Sequence, residues 1–382
     1  MKKQTVQQII AAAVSLIIVL VAYAYVVGSG TVFKGEMEGK TIRARVLSIT
    51  SAENLNATGE SVTEKIVFTA QALSTELRGK TLEVIQEIDK SYAFSPRAVR
   101  EGDTVLIEAY TENNSTNYYF GDYVRITPLI WLGVIFCILI LLFSKTQGIK
   151  TLVSLGLTCM AVFGVLLPAI LNGKNIYLWS ILVCLYITVM TLTIIGGFGK
   201  KTACAVIGCL GGTICAGIIT AVSDIFLNMT GLLEEESIYL YQLYPDNPID
   251  MKGIIFAMIT VGALGAVMDV AMSISSSLYE LRVKSPSLTS SQLMKSGFTI
   301  GSDMMGTMAN TLILAYIGSS LTCVLLYVSY NANLAQVINK EKIIAEILQA
   351  LAGSTGMLLT LPLTSAVCAL FYYRRAKNDA SR

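Results

Sequence analysis

Two carboxylates, Asp269 and Asp303, each stand alone inside a long apolar stretch. Around the first, Gly262, Gly265, Ala266, Ser273 and Ser276 recur at helical spacing and share one face with it. Around the second, Gly301 and Ser302 precede Asp303, and Gly306, Thr307 and Asn310 follow at i+3, i+4 and i+7. A charge inside a membrane-length segment costs about 2.5–3.5 kcal/mol on insertion scales, so it is kept for a partner or a task. Small neighbours let helix backbones approach closely. The chemistry expected of such a pair is binding a cation or carrying a proton, with Ser273, Thr307 and Asn310 completing an oxygen shell.

The rest of the composition narrows the alternatives. The chain has 382 residues, of which 54% are hydrophobic and only 14% charged. That balance describes a polytopic membrane protein. The sequence contains no histidine, which removes the commonest metal ligand and the default general base, so no metal or cofactor is expected. All eight cysteines lie in apolar stretches, and Cys204, Cys209 and Cys215 lack C-x-x-C spacing; they read as small packing residues.

The elements that must position the carboxylates follow from hydropathy. An apolar run over 9–27 is long enough to cross about 30 Å of hydrocarbon. It reads as an uncleaved anchor, with a cleaved signal peptide as the rival. Residues 30–126 differ in kind: β-branched and aromatic segments at 41–50, 62–73, 81–88, 104–110 and 118–126 alternate with turn residues. They predict a small barrel of five or six antiparallel strands, of the OB or SH3-like type. Apolar spans then recur at 129–143, 152–171, 177–195, 202–222, 253–275, 304–328 and 344–372. With the first run these make about eight spans. The expected fold is therefore an α-helical polytopic membrane protein with an extracytoplasmic all-β domain inserted after the first span. Its divisions are an anchor at 1–29, the β-rich domain at 30–126, a seven-span core at 127–376 and a cytoplasmic tail at 377–382.

Orientation follows from the flanking cations. With the N-terminus inside, the inner side holds Lys2, Lys3, Lys145, Lys150, Lys200, Lys201, Arg282, Lys284, Lys295, Arg374, Arg375, Lys377 and Arg382. The short outer loops hold only Lys174, Lys252, Lys340 and Lys342, a clear positive-inside bias. Both termini are then cytoplasmic and the barrel is outside.

Three further stretches read as structural. The acidic outer loop at 224–252, with Tyr244-Pro245-Asp246-Asn247-Pro248, lacks EF-hand spacing. Gly196-Gly197-Phe198-Gly199-Lys200-Lys201-Thr202 misses the phosphate-loop pattern and reads as a glycine turn. Gly208 and Gly212 form a G-x-x-x-G packing pair. On the inner side, Thr289 and Gln292 predict a capping box opening a short interfacial helix with Leu293, Met294 and Phe298 on one face.

Gly265-Ala266-Val267-Met268-Asp269-Val270-Ala271-Met272-Ser273 and the stretch from Ser296-Gly297 through Asn310 to Tyr316 resemble the YibE/F-like family of bacterial membrane proteins. The resemblance is dense over 262–318 and extends back to about Pro128. It implies a multi-span protein of the bacterial cytoplasmic membrane and no particular substrate.

Transport ranks first among the functions: a permease or transport component with the carboxylate pair in the inner half of the membrane. A structural role for the two aspartates, bonding Ser, Thr or Asn across helix interfaces, comes second. An intramembrane aspartyl protease comes below both, because Gly301-Ser302-Asp303 departs from that class's Gly-x-Gly-Asp pattern. A non-catalytic sensor or scaffold built on the β domain stays open. Expected partners are the lipid bilayer and either a second copy of the chain or a second polytopic subunit, with no nucleic acid.

Overall fold

The structure, a computed structural model, describes residues 2–28, 40–56, 62–74, 77–90, 97–112, 115–243, 248–330 and 333–379. The chain forms two compact units, one of residues 33–142 and one of residues 1–32 with 143–382. Asn113, Asn114 and 244–247 lie outside the described residues, as do 380–382 of the expected tail.

The first unit is built on five strands, β1 Lys40–Asn56, β2 Val62–Ala72, β3 Thr81–Asp89, β4 Thr104–Glu112 and β5 Ser115–Tyr123. They close in the order β1-β2-β3-β5-β4, which leaves no free sheet edge. All five expected strands are present, but the barrel is not wholly antiparallel: β3 and β5 pair in parallel at Ile85 and Tyr119. β3 alternates exposed and buried along its length, as period-2 side chains must. Its inward residues Leu82, Val84 and Ile88 join Ile42, Phe68, Val105 and Ile107 in a hydrophobic core. A register shift opposite Leu106 and Ile107 leaves Gly121 as a bulge in β5, and bulges re-aim the side chains that follow them. Buried Gln86 ties down the chain across the barrel end, donating to the Arg97 carbonyl at 3.1 Å and accepting from the Val99 N–H at 3.0 Å.

The helices are α1 Lys2–Gly28, α2 Ile126–Ala161, α3 Leu167–Leu171, α4 Ile176–Gly196, α5 Lys200–Leu227, α6 Glu235–Leu243, α7 Met251–Lys284, α8 Ser290–Ser329, α9 Leu334–Ile338 and α10 Glu341–Asp379. Among the described residues, seven are long and apolar enough to cross a membrane, one fewer than the eight expected spans. The difference lies in one place. The segments at 129–143 and 152–171 are joined in a 46-residue helical run, Ile126–Leu171. The polar stretch between them keeps helical backbone except at Lys145 (φ 49°, ψ −124°), where the run breaks direction. At about 1.5 Å per residue that length suffices for two crossings. The run passes through a π turn at Val162–Leu166 just before Pro168, which cannot donate a helical hydrogen bond.

The connection between α7 and α8 also differs from expectation. Thr289 and Gln292 do form a capping box, but the helix they open is α8 itself, continuous for 40 residues, and no separate short helix precedes it. Leu293 is fully buried, whereas Met294 and Phe298 remain exposed.

Candidate functional site

Asp250 caps α7 by accepting from the Gly253 N–H at 3.0 Å. The buried side of α7 carries Ala263, Leu264, Val267, Val270, Ala271, Ile274 and Leu278. Asp269 lies on the opposite, exposed side with Gly262 and Gly265. Its contact with α8 runs through small residues. A Cβ on Gly297 would meet Leu278 at 3.0 Å, and one on Gly301 would meet Ile274 at 3.2 Å and Leu361 at 2.5 Å. At about 100° per residue, Asp269 is turned about 140° from Ile274, and Asp303 is turned about 160° from Gly301. Both carboxylates are therefore turned away from the crossing where Leu278 meets Gly297 and Ile274 meets Gly301, and neither has a hydrogen-bond or ion-pair partner among the described residues. The structure leaves them as two separate single charges.

The other expected site residues divide between the two helices. Ser273 is half-buried one turn after Asp269. The Thr307 hydroxyl donates to the Met304 carbonyl at 2.9 Å, so its proton is already committed to its own helix. Asn310 is exposed. Gly265 and Gly306 face open space, whereas a Cβ on Gly262 would meet Gln349 Nε2 at 2.9 Å and the Tyr316 hydroxyl at 3.3 Å.

The Asp269 face leads to a cavity. Ser276, two turns and about 10 Å further along the same face, accepts from Lys201 Nζ at 3.2 Å. Lys201 lines a cavity of about 600 Å³ together with Lys150, Gln8, Gln147 and Met272. Gln147 donates to the Ile195 carbonyl at 3.2 Å. Gln8 is 5% exposed and its Nε2 has no partner among the described residues, so one buried donor stands open beside the cavity. The wall includes the glycine turn: Gly197 has φ 77°, which favours glycine, and its N–H donates to the Thr193 carbonyl at 2.9 Å. The arrangement offers two ammonium groups lining the cavity and a lone carboxylate two turns before Ser276 on α7. Among the described residues, no three Cys, Asp or Glu side chains gather as a metal would require.

Sequence reading missed the polar seam of α10. Among the described residues the buried hydroxyls of Ser354, Thr364 and Ser365 have no partner, and Thr364 and Ser365 follow Pro362, which breaks the helix's own bonding. Thr360 donates back to the Gly356 carbonyl at 2.8 Å. Thr364 and Thr360 face the expected packing glycines, while Ser365 lies against Gly297 of α8. A Cβ on Gly208 would run into Thr364, and one on Gly212 would run into Thr360 and come within 2.8 Å of the Gly356 carbonyl. The signal was the run Thr360-Leu361-Pro362-Leu363-Thr364-Ser365, three hydroxyls around one proline. Glu346 was also missed; it accepts from the Ser319 hydroxyl at 3.3 Å.

Fold and site together describe a protein of membrane-length apolar helices, close-packed on glycine, that keeps unpaired carboxylates and carries a small closed barrel. The chain belongs to the YibE/F-like family, whose family model matches residues 132–374, most of the helical part and none of the strands. No curated protein and no solved structure matches it.

Proposed function

We propose that this chain is an integral protein of the bacterial cytoplasmic membrane, with both termini inside and the barrel outside. In this reading it acts as a permease or transport component, and Asp269 binds and releases a proton or cation. The observation that carries the reading is the position of that carboxylate. It is unpartnered on a 34-residue apolar helix, and its face continues to a cavity lined by Lys150 and Lys201. An unpaired charge at such a place is costly and marks an ion or substrate path. Ser273, at i+4, supplies a second oxygen on the same face. Asp303 belongs to a separate face of α8, where a second copy or a second polytopic subunit would cover it.

Flux of protons and alkali cations into liposomes holding the purified protein tests the reading. Asp269→Asn abolishes flux while its melting temperature holds or rises, because an unpaired charge has been removed. Asp303→Asn reduces flux less. Undiminished flux in Asp269→Asn would defeat the assignment.

The barrel favours a second reading, a sensor or scaffold, because it has its own hydrophobic core and its own charged cavity. Deleting residues 40–123 separates the two: a transport core keeps residual flux, and a sensor loses its input.

A further inference from the structure

The mouth of the barrel holds a cavity of about 840 Å³ lined by three arginines, Arg43, Arg97 and Arg125. Two of them flank one aromatic ring. The Arg97 guanidinium lies 5.1 Å and that of Arg125 6.0 Å from the centre of Tyr123. The Tyr123 hydroxyl donates to the Arg97 carbonyl at 2.6 Å, which fixes the ring. Two carboxylates set the guanidinium directions: Asp103 pairs with Arg97, and Asp122 pairs with Arg125 at 2.6 Å. Burial raises the Asp103 carboxyl, but hydrogen bonds from Arg97 and the Arg100 N–H outweigh it and hold the group below its usual range. Each guanidinium has five donors, and these pairs use only some of them. Arg43 is different. It donates to the Thr127 hydroxyl at 3.0 Å and has no carboxylate partner among the described residues. Three guanidiniums against two carboxylates leave one positive charge over, and it belongs to Arg43.

We propose that this cavity binds a phosphate oxyanion, held in the fork of Arg43 with further N–H donors from Arg97 and Arg125. Planar arginine donors fit phosphate oxygens in pairs, and a pre-ordered cluster loses little freedom on binding. The source favoured is a phospholipid headgroup. Thr127 and Pro128 in the cavity wall open the outward-facing apolar stretch of α2, where Leu129, Ile130, Trp131 and Leu132 are all more than half exposed. Only this choice of source rests on the membrane reading; the oxyanion site does not, and it is independent of Asp269.

The test is calorimetric titration of the full chain in a non-ionic maltoside. The probes are dihexanoyl-phosphatidylglycerol and inorganic phosphate. The lipid saturates one site, inorganic phosphate binds the same site more weakly, and Arg43→Gln weakens both about tenfold or more. Arg125→Gln, at a side chain 71% exposed, lowers affinity without unfolding the barrel, and Arg78→Gln, outside the cavity, changes nothing. Inorganic phosphate binding as tightly as the lipid would keep the oxyanion site and move its ligand to free phosphate. No saturable heat from either probe, or equal affinity in Arg43→Gln with an unchanged melting temperature, would overturn the site. Flux through the Asp269 path is unaffected by these variants, so the two readings fail separately.

Discussion

The barrel and the helical unit fill space in opposite ways. The barrel is held by bulk: Phe68, Ile42 and Ile107 are fully enclosed, and three ion pairs, Lys90–Glu64, Arg97–Asp103 and Arg125–Asp122, lie on its surface. The tightest crossing of the helical unit is held by absence, with Gly208 and Gly212 of α5 receiving Thr364 and Thr360 of α10. Asp269 and Asp303, inside its long apolar helices, have no counter-charge among the described residues, unlike Asp224, which pairs with Lys252 at 3.2 Å. Water drives apolar bulk together, whereas between helices in lipid only close van der Waals fit and hydrogen bonds remain to do so. On the membrane reading proposed above, each unit uses the device its solvent permits.

Three substitutions press on that contrast. Phe68→Ala removes the largest enclosed side chain of the barrel and costs about 3–5 kcal/mol. Limited proteolysis and a lowered barrel melting transition report it, while the helical transition stays in place. In the helical unit the sign of the size change reverses. Gly212→Ala, an addition of one methyl, costs about 1–3 kcal/mol through overpacking against a short stiff threonine and a backbone carbonyl. Gly265→Ala faces open space and stays within about 0.5 kcal/mol, so thermal unfolding of this pair in detergent separates packing glycines from bystanders. A Gly212→Ala protein as stable as wild type would erase the contrast.

The smallest effect is pH dependence. The carboxyl of Asp103 is depressed in the folded barrel, so its contribution is complete above the ordinary carboxyl pKa of about 3.9. It is lost as pH falls below that value. A barrel whose melting temperature is flat from pH 7 to 5 and declines below about pH 4 fits this sign, and Asp103→Asn shows a shallower decline.

How much of this was legible depended on whether the signal was local. The β3 alternation is written in consecutive residues, and so is the length of each apolar helix. The bend at Lys145 was not, because a lysine among Ser, Thr and Gln reads as a loop whether or not its neighbours keep helical backbone. The glycine pair Gly208 and Gly212 announced a close contact, yet its partner lies some 150 residues away in α10, which no spacing rule reaches. The faces of Asp269 and Asp303 were legible as faces. Which side of each helix meets the other was not, since that is fixed by Leu278 against Gly297 and Ile274 against Gly301.

The α5–α10 contact has a further property. Cys204, Gly208, Gly212 and Ala216 stand opposite Cys368, Thr364, Thr360 and Gly356, each four residues from the next. Such a seam is a rack with a repeat of about 6 Å, and sliding by one tooth seats Thr360 in the notch that Thr364 now fills. One contact that breaks the repeat joins three helices: the Ser275 hydroxyl of α7 donates to the Lys201 carbonyl of α5 at 2.6 Å and lies 3.1 Å from the Tyr372 hydroxyl of α10. The repeat alone therefore does not fix the register; contacts that break it do, among them Ser290 donating to the Ala369 carbonyl at 3.2 Å and Glu341 accepting from the Thr230 and Gly231 N–H groups at the two ends of α10.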